Sequence, residues 1–79
     1  MNANDNPVVS ATQTARILSH MLEGKSITAM EALDLYGCFR LSARIKDIEK
    51  QLGYAPHRER VQVKNREGKD VWVARYWIQ

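Results

Sequence analysis

The apolar residues of this chain keep one period up to Gly53 and a different one after it. Before that glycine they recur three and four residues apart, the spacing of one helix face; beyond it they alternate with polar residues, the period of a strand. The fold therefore has to pack helices against a hairpin. With 79 residues, 44% of them hydrophobic, there is material for one modest core and one domain, and little for a deep pocket.

The helical part divides at its glycines. Ser10 and Gln13 have the spacing of a capping box, and Thr14, Ile17, Leu18, Met21 and Leu22 follow at helical spacing until Gly24, which predicts a first helix. Thr28 and Glu31 form a second capping box, with Ile27 and Ala32 placed as a hydrophobic staple across it. Ala29, Ala32, Leu33 and Tyr36 then make the apolar stripe of a short second helix that Gly37 closes, and Lys25 to Ile27 can add a short strand between the two. Gly37, Cys38 and Phe39 are a turn. From Arg40, Leu41, Ile45, Ile48 and Leu52 fall on one face of a third helix that stops at Gly53. Two helices joined by a three-residue turn containing glycine are the sequence form of a helix-turn-helix.

Pro56 suits a strand start, and Val61 and Val63 then alternate with Arg60, Gln62 and Lys64. Asn65 to Lys69 carries hairpin turn chemistry, with Gly68 able to adopt positive φ, and Asp70 to Gln79 is the return strand. Trp72, Ala74, Tyr76 and Ile78 are expected to face the helices, yet Val71, Val73 and Trp77 on the opposite parity are apolar too, so the register stays open. One tryptophan is expected to be partly exposed. Residues 1 to 9 show no periodicity and are expected to be a disordered tail, with residues 10 to 79 forming the domain.

The predicted class is α+β, a winged helix-turn-helix of three helices followed by a two-stranded antiparallel hairpin, the wing. The run from Ala32 to Ile48, with Leu52-Gly53-Tyr54 after it, resembles the small winged helix-turn-helix proteins of phages and prophages. The resemblance covers roughly residues 10 to 79 and implies a DNA-binding regulator, without implying an operator sequence.

Charge placement points the same way. Residues 1 to 39 hold two Lys/Arg against four Asp/Glu, net −2, whereas residues 40 to 79 hold ten against five, net +5. The C-terminal half is where a polyanion would dock. Rotation of 100° per residue puts Ala43, Lys46, Asp47 and Lys50 opposite the apolar face of the third helix, with Arg40 and Ser42 near its start. Arg40, Ser42, Ala43 and Lys46 are candidates for reading base edges in the major groove, with Lys50 beside them, because Arg and Lys can bond guanine and an Ala methyl can touch a thymine methyl. Arg58, Arg60, Lys64, Arg66 and Lys69 on the wing are candidates for phosphate contacts. Asp47 would repel phosphate and is expected to pair with Arg44 or Lys50, and Arg44 is expected to be structural.

Other functions find less support in the residues. Cys38 is the single cysteine and is expected to be a packed thiol; His20 and His57 are expected at the surface, and no metal-ligand spacing is present. No catalytic residue, metal or cofactor is implied. The first residues lack the charged start and apolar run of a signal peptide and no stretch is long enough to cross a bilayer, so the expected compartment is the cytoplasm and the expected partner is double-stranded DNA, not a membrane. A homodimer would match a palindromic site. Two alternatives stay open. One is a winged-helix adaptor that binds a host or phage protein through an exposed patch around Trp77. The other is single-strand binding through Trp72, Tyr76 and Trp77.

Overall fold

The computed structural model describes residues 7 to 78, and side chains from Val9 onward. Its elements are α1 (Pro7–Leu22), β1 (Ile27–Thr28), α2 (Ala29–Tyr36), α3 (Leu41–Leu52), β2 (His57–Lys64) and β3 (Asp70–Trp77), with the three strands in one antiparallel sheet of order β1-β3-β2. This is the three-helix and hairpin arrangement expected, with a short third strand added at the sheet edge.

Local chemistry accounts for α2. The Thr28 side chain accepts from Glu31 N–H while the Glu31 carboxylate accepts from Thr28 N–H, closing the capping box. Ile27 and Ala32, on either side of it, are both fully buried. At the other end Gly37 sits at φ +64° and donates back to the helix carbonyls, a conformation that disfavours any side chain. Ala29, expected on the apolar stripe, is exposed because it directly follows the strand residue Thr28 and starts the helix at its open end. β1 occupies Ile27 and Thr28 instead of Lys25 to Ile27, since only these two residues find partners, Tyr76 and Arg75, on β3.

Helix α1 differs more from expectation. It begins at Pro7, so Ser10 is inside the helix and is not its N-cap; its hydroxyl accepts from Arg44 Nη1 at 2.6 Å. Residues 7 to 9 thus belong to the helix, where proline is tolerated in the first turn, and residues 1 to 6 of the expected tail lie outside the described residues. The buried face of α1 carries Gln13, Thr14, Ile17, His20 and Met21, and Leu22 is 63% exposed. At 100° per residue this face is turned by roughly 70° from the one that apolar residues alone define. The turn is possible because all three polar residues find partners, Thr14 on Asp47 of α3. Gln13 Nε2 donates to Gly37 O at 3.2 Å, and His20 bonds Tyr36 Oη through Nδ1 (2.8 Å) and Ser26 O through Nε2 (2.9 Å). His20, expected at the surface, is therefore a buried tie between α1, the loop before β1 and α2.

The core joins Ile17 and Met21 of α1, Ile27, Ala32, Cys38 of the turn, Leu41, Ile45 and Ile48 of α3, and Ile78 after β3. Cys38 is a packed thiol, 1% exposed. Among the described residues no helix is long and apolar enough to cross a membrane.

In the hairpin, residues opposite one another share a face and successive residues alternate. Arg58, Arg60, Gln62 and Lys64 thus lie with Tyr76, Ala74, Trp72 and Asp70 on the face that also carries Ile27 of β1, while Val61 and Val63 lie with Val73 and Val71 on the other. Tyr76 packs on the core and Ile78 is buried within it, as expected. Trp72 shares their parity but is 58% exposed. Trp77, on the opposite face, is half-buried and stacked on His57 with ring centroids 5.3 Å apart. Asn65 organises the tip: its side-chain oxygen accepts from Glu67 N–H and Lys69 N–H, and its backbone bonds Gly68 and Lys69, with Gly68 at φ +79°.

Candidate nucleic-acid interface

Helix α3 buries Leu41, Arg44, Ile45 and Ile48, which fixes what it shows to solvent. Ser42, Lys46, Glu49 and Lys50 are exposed; Ala43 and Asp47 are half-buried. Asp47 does not stand on the open face. Its carboxylate accepts from Thr14 Oγ1 of α1 at 3.3 Å and pairs with Arg44 Nε at 3.2 Å, while Arg44 also reaches Ser10. Arg44 and Asp47 clamp α3 to α1, the structural role expected for both. Glu49 takes the place Asp47 was expected to hold. Sequence reading missed it, although residues 42, 46 and 49 follow the i, i+4, i+7 spacing of one helix face.

Arg40 precedes α3 as its cap residue without a side-chain cap bond, and its carbonyl accepts from Ala43 and Arg44 N–H. Arg40 and Ser42 line a shallow cleft of about 270 Å³ with Phe39, Leu41, Ala29 and the hairpin residues Ala74 and Tyr76. The first turn of α3 and the inner face of the wing therefore look across one groove. Arg58 and Arg60 stand on that inner face opposite Tyr76 and Ala74, and the Arg60 guanidinium lies 5.7 Å from the centroid of the Trp72 ring.

Ion pairing separates the cations into two groups. Lys64 bonds Asp70 at 2.8 Å, Lys69 lies 4.0 Å from Glu67, Arg75 bonds Glu59 across the ladder, and Lys25 pairs with Glu23 at 3.0 Å. The last pair raises the Lys25 pKa above the ordinary lysine value, through the Glu23 hydrogen bond first and its charge second. Among the described residues no ion pair engages Lys46, Lys50, Arg58, Arg60, Arg66 or Arg16. Five of these six are on α3 or the wing. Of the ten candidate contact residues, the arrangement brings Arg40 and Ser42 into the groove, sets Arg58 and Arg60 opposite its Tyr76 and Ala74, puts Lys46 and Lys50 together farther along α3, and leaves Arg66 at the wing tip. Lys64 and Lys69 are held in exposed pairs of little strength, and Ala43 is half-buried on α3.

The model of the winged helix-turn-helix domain family matches residues 12–79. No curated protein and no solved structure matches the chain.

Proposed function

We propose, for a chain that belongs to the winged helix-turn-helix domain family, that it binds double-stranded DNA sequence-specifically, with α3 in the major groove and the wing along the backbone. The observation that carries this reading is the distribution of unneutralised charge: among the described residues, five of the six Lys and Arg that no ion pair engages stand on α3 or the wing. Arg40, Ser42, Ala43 and Lys46 are assigned to base edges, with Lys50 beside them, and Arg58, Arg60, Lys64, Arg66 and Lys69 to phosphates. The role of a transcription regulator in a phage or prophage rests on the sequence resemblance described above. No catalysis is assigned; Cys38, the one thiol, is buried.

Fluorescence anisotropy with labelled random duplex at several salt concentrations tests the reading. If about five cations engage phosphates, log affinity falls against log salt with a slope of roughly −4.5, a loss of roughly 500-fold between 50 and 200 mM. Absence of salt-dependent binding would favour the adaptor reading. That second reading has its own observation. It does not run through Trp77, which is half-buried, but through the outer wing face, where Val61, Val63 and Val73 border a depression with Met30, itself 55% exposed.

A further inference from the structure

Trp72 is the largest side chain that the fold leaves unused. It is 58% exposed and takes no part in the core. A strand position that needs only β propensity is served by Thr or Val, and a wing that only neutralises phosphates needs cations without an indole. An exposed indole forgoes most of the gain its burial would bring, so its place calls for a ligand.

Three features of that place identify the ligand's chemistry. Trp72 lies on the inner face of the wing, with Ala74 and Tyr76 following on the same face and forming one side of the cleft against the first turn of α3. The Arg60 guanidinium approaches its ring, and Arg58 stands on the same face one step further from the tip. The one carboxylate of β3 on that face, Asp70, is already bonded to Lys64. A flat π surface in a cationic setting suits a partner that is itself flat, aromatic and attached to an anionic backbone. A protein partner would need apolar volume or carboxylates there; a nucleobase needs only a π face and a nearby cation for its phosphate.

We infer that Trp72, braced by Arg60, stacks on a nucleobase that has left the duplex stack, so that the wing favours DNA containing an unpaired or readily unstacked base over fully stacked duplex. This rests on the duplex-binding reading and adds a second mode of recognition to it. Stacking is tolerant of base identity, since every base has a π face, so the preference is for local structure and not for sequence.

The test uses the full chain carrying Trp77→Phe, which leaves Trp72 as its single indole. Its emission is followed while a paired duplex, or the same duplex with a one-nucleotide bulge, is added. Anisotropy of labelled DNA is recorded in separate titrations. The expected result is a preference of about tenfold for the bulged duplex, with Trp72 emission quenched on binding it. Trp72→Ala should remove the preference while changing paired-duplex affinity by less than about threefold, and Trp72→Phe should keep part of it. Equal affinity for both duplexes, or binding by anisotropy with Trp72 emission unchanged, would overturn the inference and leave the duplex reading standing. Lack of binding to either duplex at low salt would remove both. Thermal melts of the variants check that the exposed substitution leaves the fold intact, and the emission result with the native indole does not depend on that check.

Discussion

The clamp between α1 and α3 can be taken apart in a double-mutant cycle. Arg44 is 7% exposed, and it bonds Ser10 and pairs with Asp47 at 3.2 Å; the Asp47 side chain keeps 39% of its exposure. Asp47→Ala leaves a buried guanidinium without this counter-charge. A fully buried pair broken this way costs about 3–5 kcal/mol, but water reaches Asp47, so the loss expected here is about 1.5 kcal/mol. For a domain of this size that lowers the melting temperature by roughly 6–12 °C. Arg44→Met removes the contacts to Ser10 and Asp47 but keeps much of the buried volume, and should cost about 1 kcal/mol. In the double variant neither charge is stranded, so its loss should be near that of Asp47→Ala alone, a coupling of about 1 kcal/mol. Thermal or urea denaturation of the parent and three variants measures each corner. Additive losses, with coupling under about 0.3 kcal/mol, would mean that Arg44 and Asp47 act independently and that something else fixes α3 on α1.

Gly37→Ala should destabilise by about 1 kcal/mol, because φ +64° is strained for a side chain even though open space surrounds that position; an unchanged urea midpoint would contradict it. Cys38, buried in the turn, should react slowly with a thiol reagent in the native protein and quickly once unfolded, and rapid native labelling would show that the turn opens. Lys46→Ala should weaken binding to a preferred site by roughly 1–3 kcal/mol more than binding to random duplex. Arg66→Ala should weaken both alike and make the salt slope shallower by about one. Equal loss on all sequences for Lys46→Ala, with altered base preference for Arg66→Ala, would invert the roles of helix and wing.

What could be read from the residues alone was whatever local chemistry decides. The ends of α2 follow from Thr28, Glu31 and Gly37, whose hydrogen bonds and backbone angles need no distant partner. The buried stripe of α3 follows from Leu41, Ile45 and Ile48, and the hairpin tip from Asn65 and Gly68. Where side chains from other elements decide, the pattern misled. His20 read as a surface residue and Gln13 as half of a capping box, because polar groups are buried only when partners exist, and their partners, Tyr36, Ser26 and Gly37, come from other elements. Alternation favours Trp72 for the helix side only weakly, because both faces of β3 are apolar, and of the two tryptophans it is the exposed one. Exposure of Trp72 depends on which elements pack over that face of β3, which strand periodicity does not encode.

The acidic residue on the open face of α3 bears on how the work would be divided. Glu49 stands between Lys46 and Lys50, which border one surface depression with it, and its charge offsets one of theirs. A helix seated in the major groove with that arrangement gains little net attraction to phosphate, whereas a carboxylate can still accept from a cytosine amino group. The wing has the opposite balance: Arg58, Arg60 and Arg66 are unpaired by carboxylates, while the pairs of Lys64 and Lys69 are exposed and exchange readily for phosphate contacts. Replacing Glu49 with Gln should therefore raise affinity for random duplex by about threefold to tenfold while narrowing the margin between preferred and random sites. Anisotropy on the two duplexes at one salt concentration decides it. If Glu49→Gln left random-duplex affinity unchanged, α3 would lie too far from the phosphates for its charge to be felt, and the helix-in-groove placement would have to be abandoned.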